Sequence, residues 1–230
     1  MQFLEVIPDT DPMLRKTSRR VRHVDDKLRK IIADMYDLMV ENWGIGLAAI
    51  QVGVQKRFFI YEIPKREVSG YEACYPRPTS GDRASSEKGG ASDDGEADSS
   101  EEASDGGYSG DYTVCINPRI ISREGAYIED EGCLSRAGWM AKVERAIKVT
   151  FEAWDTDMLR FERTVEGLEA RCVQHEIDHL DGILFTDRAV PGTLRDVREE
   201  EAEREAAEKA SEVAAGSVES SAGEKVEDAG

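Results

Sequence analysis

The stretch QHEIDHLDG, residues 174–182, places two of the chain's three histidines four positions apart, with a glutamate directly after the first. On an α-helix, residues four apart lie on one face about a turn apart, so His175 and His179 can present two imidazole nitrogens to one cation. Glu176 then lies close enough to take a proton from water held by that cation without being a ligand itself. The spacing therefore predicts a helix that carries two ligands of a hydrolytic metal site.

A short pattern of this kind also arises by chance on solvated helices. Here apolar residues recur around it at helical spacing, which favours a buried helix; they are Leu168, Val173, Ile177 and Leu180. We expect a helix from about Leu168 to Leu180, with Gly182 as its stop.

A hydrolytic metal site needs a third protein ligand and an open position. A zinc endopeptidase with this helix takes its third ligand, a Glu or His, from the chain that follows, but no histidine follows His179. Upstream, the segment EDEGCLSRAG offers Cys133, and a soft thiolate suits Fe(II) as well as Zn(II). The residues therefore leave open whether the third ligand is Cys133 or, as in a zinc endopeptidase, a residue that follows the helix.

A third segment, GIGLAAIQVG at residues 44–53, adds a different kind of group. Its glycines allow close backbone approach, and Gln51 offers an uncharged amide donor for a substrate oxyanion. A glycine-rich turn after a helix is most often only a helix stop, and this one lacks the spacing of a phosphate-binding loop. The segment gains weight only beside the other two.

Helical periodicity marks the segment from Asp25 to Gly44, where apolar residues recur at i, i+3, i+4 and i+7 behind an N-cap at Asp25 or Asp26. Runs typical of strands follow it at residues 56–63, 112–121, 141–155 and 159–167, the third being long enough for two strands. The strands come in a run and are not interleaved with helices. We therefore expect an α+β fold, with antiparallel β-sheets packed around a central metal-binding α-helix and an amphipathic helix near the N-terminus.

The formal charge of −18 is concentrated in two segments. Residues 81–110 carry nine acidic and two basic residues, and residues 199–230 carry eleven acidic and three basic ones, which leaves the rest close to balance. The first segment has too few apolar residues to order itself. We expect one catalytic domain over residues 1–190, with a disordered acidic insertion at 68–110, and an acidic, partly helical or disordered tail over 191–230.

Composition also limits the partners and the compartment. The acidic segments argue against direct binding to nucleic acid. No apolar run approaches the roughly 18 residues of a membrane span, so we expect no role in a membrane. The N-terminus has no features of a secretory signal or transit peptide, which favours a cytoplasmic protein, most simply of a bacterial cytosol, with a mature organellar protein as the alternative. The four cysteines are irregularly spaced and form a poor disulfide framework.

Three segments in this order, GIGLAAIQ, EGCLS and QHEIDH, resemble the three signature motifs of peptide deformylase, the enzyme family that removes the N-formyl group from nascent polypeptides. Other segments also resemble this family, among them DPMLRKTSRRV, INPRI and HLDGILFTDR. The likeness covers most of residues 4–188 apart from the acidic insertion. It favours a deformylase over a zinc endopeptidase.

The resemblance implies a complete metal site. Cys133, His175 and His179 would bind one divalent ion, with water in the fourth position. Fe(II) is the native ion that the family implies, and Zn(II), Ni(II) or Co(II) would be able to replace it. Glu176 would be the general base and later the proton donor. The substrate would be an N-formylmethionyl nascent peptide, which a monomeric enzyme meets in transient association with the ribosome.

The resemblance also implies which groups surround the substrate. The side-chain amide of Gln51 and the backbone N–H of Leu134 would stabilise the oxyanion, and backbone around Gly46 would pair with the peptide in strand fashion. The methionine side chain would lie in an apolar pocket, lined by Gly44, Ile45, Leu134 and Cys172. Three further residues would hold the metal loop and the helix in place: Glu131, Arg145 and Asp178.

Three positions depart from the family pattern. Ile50 and Ala137 stand where members often have proline, and Met140 stands near a position where some members carry an arginine that binds a substrate carboxylate. We therefore expect weaker recognition of short peptides with a free carboxylate. Some members of the family dock on the ribosome through a basic C-terminal helix. An acidic tail would be repelled by ribosomal RNA, so we also expect a different or weaker docking mode that does not use the tail.

Overall fold

The computed structural model of the chain describes residues 4–63 and 108–200. Residues 68–107 of the expected insertion and 201–230 of the expected tail lie outside these residues. Helices and antiparallel strands form an α+β fold, as the sequence predicts.

The described residues contain short and long helices and eight strands. The helices are α1 (Asp26–Glu41), α2 (Gly167–Leu180) and α3 (Phe185–Arg188). The strands are β1 (Gly46–Ala48), β2 (Phe58–Tyr61), β3 (Thr113–Glu124), β4 (Tyr127–Gly132), β5 (Trp139–Arg145), β6 (Lys148–Trp154), β7 (Arg160–Glu166) and β8 (Arg195–Asp196). Short 3-10 turns lie at Pro12–Arg15, Ala49–Val52 and Leu134–Arg136. Within 4–63 and 108–200, no helix combines the length and the apolar character that a membrane span requires.

Helix α1 forms because apolar side chains recur on one face and an aspartate caps its first turn. The Asp25 carboxylate accepts a hydrogen bond from the N–H of Leu28 at 2.8 Å. The chain leaves the helix through Trp43, which has a φ of 57°, and not through a left-handed glycine. Gly44 serves packing instead, because a Cβ there would lie 2.7 Å from Cδ1 of Leu134.

Two antiparallel sheets enclose α2. The first has five strands in the order β1-β2-β3-β6-β7, and the second has three in the order β4-β5-β8. Val173 and Ile177 of α2 pack with Phe151 of the first sheet in one buried cluster. On the side of the second sheet, Arg171 and His175 of α2 form hydrogen bonds with residues of β4. The helix is therefore central, as expected from the sequence.

Local patterns locate most strands but not all of them. The long run at 141–155 forms two strands, β5 and β6, which turn at Ala146. Strand β1 arises where the sequence suggests only a glycine-rich turn after α1. It forms through pairing with β2, in which Gly46 lies opposite Tyr61, and such pairing leaves no local signal.

The packed fold extends beyond two of the expected boundaries. Past residue 190, Arg195 and Asp196 pair with β5, and Val197 is fully buried. Tyr108, expected in the acidic insertion, is only 7% exposed. In both places a single apolar or aromatic residue is buried within a polar stretch. The composition of such a stretch does not predict that one of its residues is buried.

Asn117 fastens the N-terminal segment to the first sheet. The residue lies at an irregular point of β3 and has a φ of 49°, a conformation that asparagine tolerates better than most residues. Its side-chain oxygen accepts a hydrogen bond from the N–H of Val21 at 2.8 Å, and its side-chain nitrogen donates to the carbonyl of Val21 at 2.8 Å. One buried amide thus pairs both backbone groups of Val21.

We expect Asn117→Ala to lower the free energy of unfolding by about 2–4 kcal/mol, since it leaves two buried backbone groups unpaired and strains the positive φ. Urea denaturation measures the change. Asn117→Gly relieves the strain alone and should recover only about 1 kcal/mol of the loss. If Asn117→Gly matched the wild type, the two hydrogen bonds would contribute no more than the strain that glycine relieves.

Candidate active site

Burial of α2 fixes the direction of its polar side chains. His175, Glu176 and His179 are each less than a tenth exposed. Gln174 holds the helix against the turn between β5 and β6. Its amide oxygen accepts a hydrogen bond from the N–H of Ala146 at 3.1 Å, and its amide nitrogen donates to the carbonyl of Ala146 at 3.1 Å.

Three donor atoms of different residues lie close together beside α2. Cys133 Sγ lies 3.2 Å from His179 Nε2, which lies 3.1 Å from His175 Nε2. Cys133 reaches this point because it directly follows the last residue of β4. Ligand atoms from the three residues all lie within 4.8 Å of one another. One sulfur and two imidazole nitrogens suit a divalent ion such as Fe(II) or Zn(II), so the residues fit the metal that the sequence predicts.

A buried ion network orients the first histidine. His175 Nδ1 lies 2.7 Å from Glu131 Oε1, which leaves Nε2 facing the other two donor atoms. Arg145 donates two hydrogen bonds to Glu131, at 2.9 and 2.6 Å, and a third to Asp178 at 2.5 Å. Arg188 also donates to Asp178, at 2.7 Å to Oδ1. Strand β4, which precedes Cys133, and helix α2 are therefore joined through the guanidinium of Arg145.

Burial and polar neighbours shift the pKa values of the two histidines in opposite directions. Burial lowers the pKa of His175, but hydrogen bonds with Cys133 and Glu131 outweigh burial and raise that pKa well above its ordinary value. At His179, burial and the charge of His175 together lower the pKa well below its ordinary value. The pKa of Glu131 is lowered in spite of burial, because Arg145 and His175 bond to its carboxylate. The shift at His179 favours the neutral imidazole, which is the form that binds metals.

Glu176 lies against the segment that precedes the 3-10 turn of Ala49–Val52. A Cβ on Gly46 would lie 2.6 Å from Glu176 Oε1 and 2.7 Å from Cys172 Sγ, so only glycine fits there. Glu176 Oε2 is buried and has no hydrogen-bond partner among the described residues. Burial raises the pKa of this carboxyl to about 7, although the charge of His175 opposes the rise. Such a group can accept a proton and return it near neutral pH.

The amide of Gln51 has a fixed orientation. Its oxygen accepts a hydrogen bond from the N–H of Ala48 at 2.8 Å, so its nitrogen must face the other way. That nitrogen lies 3.4 Å from Cys133 Sγ and 3.3 Å from Ser135 Oγ. A neutral donor is therefore directed at the region of the metal ligands.

A cleft runs along these groups and contains about 480 Å³ free of protein atoms, counting the part open to solvent. All four residues expected in the methionine pocket lie on its wall: Gly44, Ile45, Leu134 and Cys172. Within the described residues, β1 pairs only with β2, and β4 pairs only with β5. Residues of both edge strands line the cleft, so an extended peptide placed there would meet backbone N–H and C=O groups.

Comparison with known proteins decides the family. The family model described as polypeptide deformylase matches residues 3–194. The chain belongs to the peptide deformylase family. It is 36% identical over 187 residues to the peptide deformylase of Alkalilimnicola ehrlichii, with 81% of this chain and 82% of that protein covered. The peptide deformylase of Thermomicrobium roseum is 34% identical over 204 residues, with 88% and 96% covered.

A solved structure supports the same assignment. The crystal structure of a peptide deformylase from Legionella pneumophila superposes with a TM-score of 0.60 at 33% identity, and the match covers 83% of this chain and 88% of that one. Peptide deformylases are metal-dependent enzymes that act on formylated nascent peptides. The α+β fold and the Cys133, His175 and His179 group agree with that family.

The structure brings together the residues to which the deformylase motifs point, and their individual roles stay predictions. Sequence analysis missed three side chains at this site. Arg171 lines the cleft, and its only signal in the sequence is a charged residue one turn before His175. Arg188 binds Asp178, and Tyr108 donates a hydrogen bond to the carbonyl of Gly44 at 3.0 Å. Neither Arg188 nor Tyr108 carries a local signal in the sequence. The partner of Arg188 lies across the turn that follows α2, and the partner of Tyr108 lies on the other side of residues 64–107.

Next to Tyr108, a second contact joins the two ends of the chain that border residues 64–107. Glu62 Oε1 accepts hydrogen bonds from the N–H of Ser109 at 2.6 Å and from its hydroxyl at 2.8 Å. Tyr36 of α1 donates to the other oxygen of Glu62 at 2.8 Å. We call this contact the Glu62–Ser109 clasp. It places the returning chain beside Gly44 on the cleft wall.

We expect Arg145→Met to lower the free energy of unfolding of this deformylase by about 3–5 kcal/mol, because Glu131 and Asp178 keep their buried charges without the shared partner. Metal affinity should fall about 10–100-fold, since Glu131 no longer holds His175 in place. Chemical denaturation and competition with a chelator measure the two effects. The matched control is Arg29→Met, because the side chains of Arg29 and its partner Asp157 are 45% and 70% exposed, and the change should alter neither quantity appreciably. Unchanged metal affinity in Arg145→Met would show that the network is not needed to orient His175.

Proposed function

We propose that this chain hydrolyses the formyl amide at the N-terminus of formylmethionyl nascent polypeptides and releases formate. The observation that carries the proposal is the arrangement of Cys133, His175 and His179 with Glu176 and Gln51 around one point of a peptide-sized cleft. Hydrolysis breaks the C–N bond of the formyl amide; the carbonyl carbon gains an oxygen from water, and the amine nitrogen gains a proton. Each of these changes has a candidate group in the cleft.

We assign Cys133, His175 and His179 as ligands of one divalent ion, with Fe(II) as the native ion and Zn(II), Ni(II) or Co(II) as replacements. The bound ion would supply a Lewis acid and lower the pKa of water at this point. The protein's own contribution is to hold the ring of His175 through Glu131, with the Nε2 atoms of both histidines close together and that of His179 beside the sulfur of Cys133.

Glu176 is assigned as the general base and later the proton donor. Its carboxyl is buried, and a pKa of about 7 suits both roles. The carboxyl also lies against Gly46, next to the strand edge where the substrate backbone would lie. A proton taken from water therefore has only a short path to the departing amine.

Gln51 and the backbone N–H of Leu134 are assigned to the oxyanion that forms when the carbonyl carbon becomes tetrahedral. The Gln51 nitrogen is already oriented by Ala48, so its donation requires no reorganisation during the reaction. Leu134 directly follows Cys133, which places its N–H close to the same atoms. Both groups are uncharged hydrogen-bond donors, so they can stabilise the oxyanion without binding the metal ion themselves.

Backbone along β1 is assigned to pair with the substrate, and the apolar wall at Ile45, Leu134 and Cys172 to contact the methionine side chain.

An endopeptidase would need a cleft that continues on both sides of the scissile bond. The thiolate ligand Cys133 distinguishes the site from that of a zinc endopeptidase, whose corresponding third ligand lies after the helix. Glu176, Gln51 and the three metal-binding side chains are all present, which disfavours a role as a catalytically inactive binding protein.

The substrate also determines where we place the activity. Formylated chains arise where translation starts with formylmethionine, in the bacterial cytosol or in an organelle, and the relatives named above come from bacteria. We propose that the enzyme acts there as a monomer, without binding nucleic acid or membrane itself, and that it meets its substrate during transient association with the ribosome. The acidic tail would not serve as the docking element, because ribosomal RNA repels it.

The direct test is formate release from formyl-Met-Ala-Ser by protein prepared without oxygen and loaded with Fe(II) or Co(II). We expect release from this peptide and no internal cleavage of the same peptide lacking the formyl group. Glu176→Gln should reduce kcat at least 100-fold while its metal content stays equal to that of the wild type. Glu169→Gln, the same change on the same helix but off the cleft wall, is the control that should retain activity. Full turnover by Glu176→Gln would contradict the assigned base.

A second test concerns the close approach at Gly46. Gly46→Ala should lower kcat/KM by about 100-fold, because the added methyl group pushes the Glu176 carboxylate from its position. Gly53→Ala is the matched control: it strains a φ of 75°, but its Cβ meets nothing within 4 Å. We therefore expect Gly53→Ala to lose stability and to keep its activity when folded. Equal activity of the two variants would remove Gly46 from the assigned machinery.

A further inference from the structure

The two assigned oxyanion donors belong to two separate 3-10 turns. These are Ala49–Val52, here called the Gln51 turn, and Leu134–Arg136, here called the Leu134 turn. A third part of the chain, the N-terminal segment of residues 7–9, forms hydrogen bonds with both turns. Donors to an oxyanion work best when their separation is fixed before the reaction, so whatever joins the two turns bears on catalysis.

The backbone of the N-terminal segment spans the gap between the turns. The N–H of Ile7 donates to the carbonyl of Gln51 at 2.8 Å. The N–H of Asp9 donates to the carbonyl of Ser135, in the Leu134 turn, at 2.8 Å. Pro8 lies between them and has no N–H that would need a partner. Three consecutive residues therefore connect one turn to the other.

The side chain of Asp9 adds a second bond to the Leu134 turn. Nη1 of Arg136 donates to Oδ2 of Asp9 at 2.6 Å, and the side chains of Asp9 and Arg136 are only 16% and 28% exposed. The central carbon of the Arg136 guanidinium also lies 4.4 Å from the centre of a Trp139 ring. A charged hydrogen bond that is largely withdrawn from solvent restrains its partners more than an exposed one. Asp9 thus holds the turn through both its backbone and its carboxylate.

The turns themselves share little directional bonding. Within residues 4–63 and 108–200, one hydrogen bond joins them directly, from Nε2 of Gln51 to Oγ of Ser135 at 3.3 Å. This bond is long, and it uses the nitrogen assigned to the oxyanion, so it is a weak brace during the reaction. Leu134 also packs in the cluster that contains Ala49 and Val52, but apolar packing is not directional. The bonds of the N-terminal segment are short and do not involve that nitrogen.

We propose that Asp9 is a positioning residue for the oxyanion site: it holds the Leu134 turn so that the N–H of Leu134 stays at a fixed distance from the amide of Gln51. This inference rests on the deformylase function proposed above. Within the described residues, the hydrogen bonds of Asp9 go to the Leu134 turn and not to the metal-binding helix. Loss of its carboxylate should therefore affect the oxyanion, which exists only in the transition state, more than substrate or metal binding.

Asp9→Ala should lower kcat for formyl-Met-Ala-Ser about tenfold, while KM and the metal content stay within about twofold of the wild type. Asp9→Asn keeps an oxygen that can accept from Arg136, so its kcat should recover to within about threefold of the wild type. Asp157→Ala is the matched control, because this carboxylate also bonds to an arginine but is 70% exposed and off the cleft wall. It should keep the wild-type kcat.

Combination with a change at Gln51 separates positioning from a general effect on the fold. Gln51→Met removes the amide at similar length and should itself lower kcat about 100-fold. Without the amide, its distance from the N–H of Leu134 no longer matters. Asp9→Ala should therefore cost less than about threefold in the Gln51→Met background. If the two losses multiplied in full, Asp9 would act on another step or on the fold, and the inference would be overturned.

The position of the donor can also be measured without turnover. In NMR spectra of the zinc-loaded protein, Asp9→Ala should shift the side-chain amide signals of Gln51, to which Asp9 is not bonded, and Asp157→Ala should not. Unchanged signals would contradict the inference, as would an unchanged kcat in Asp9→Ala or a raised KM at the wild-type kcat. A wild type that releases no formate would instead reject the proposed function, and the spectra would still decide whether Asp9 positions Gln51.

Discussion

The guanidinium of Arg145 is the point on which the site depends. It holds Glu131 on one side and Asp178 on the other, and Glu131 in turn fixes the ring of His175. The ligands come from two places far apart in the chain, the residue that follows β4 and helix α2, and this buried network joins β4 to α2. Hydrophobic packing alone does not bring a thiol and two imidazoles together at one buried point. The ion network therefore supplies the geometry that metal binding requires.

Much of the site follows from the sequence because it rests on local geometry. Helical spacing alone places His175, Glu176 and His179 on one part of α2, and the structure has them there. The α+β class follows from a run of strands before that helix. Cys133 and Gln51 lie far along the chain from α2, and only the resemblance to a family of ordered motifs connected them with it.

Other features depend on pairing between distant segments and so leave little trace in the sequence. Strand β1 exists because β2 lies beside it, and Tyr108 is buried because it meets Gly44 across the undescribed segment. Val197 continues the fold past residue 190 because β8 adds to the second sheet. Arg171 is visible in the sequence as a charged residue, but only the positions of its neighbours show that its Nη2 has no hydrogen-bond partner among the described residues.

The Glu62–Ser109 clasp has a consequence for how this protein can change. The clasp fixes the two chain ends side by side, and Tyr108 fastens one of them to the cleft wall. The entropy of closing a connection grows only slowly with its length, so the number of residues between 63 and 108 has little influence on the fold. The position is therefore a natural insertion point, where evolution or protein engineering can exchange whole modules. A reporter domain inserted there would be attached next to Tyr108, whose hydroxyl donates a hydrogen bond to Gly44 on the wall of the cleft.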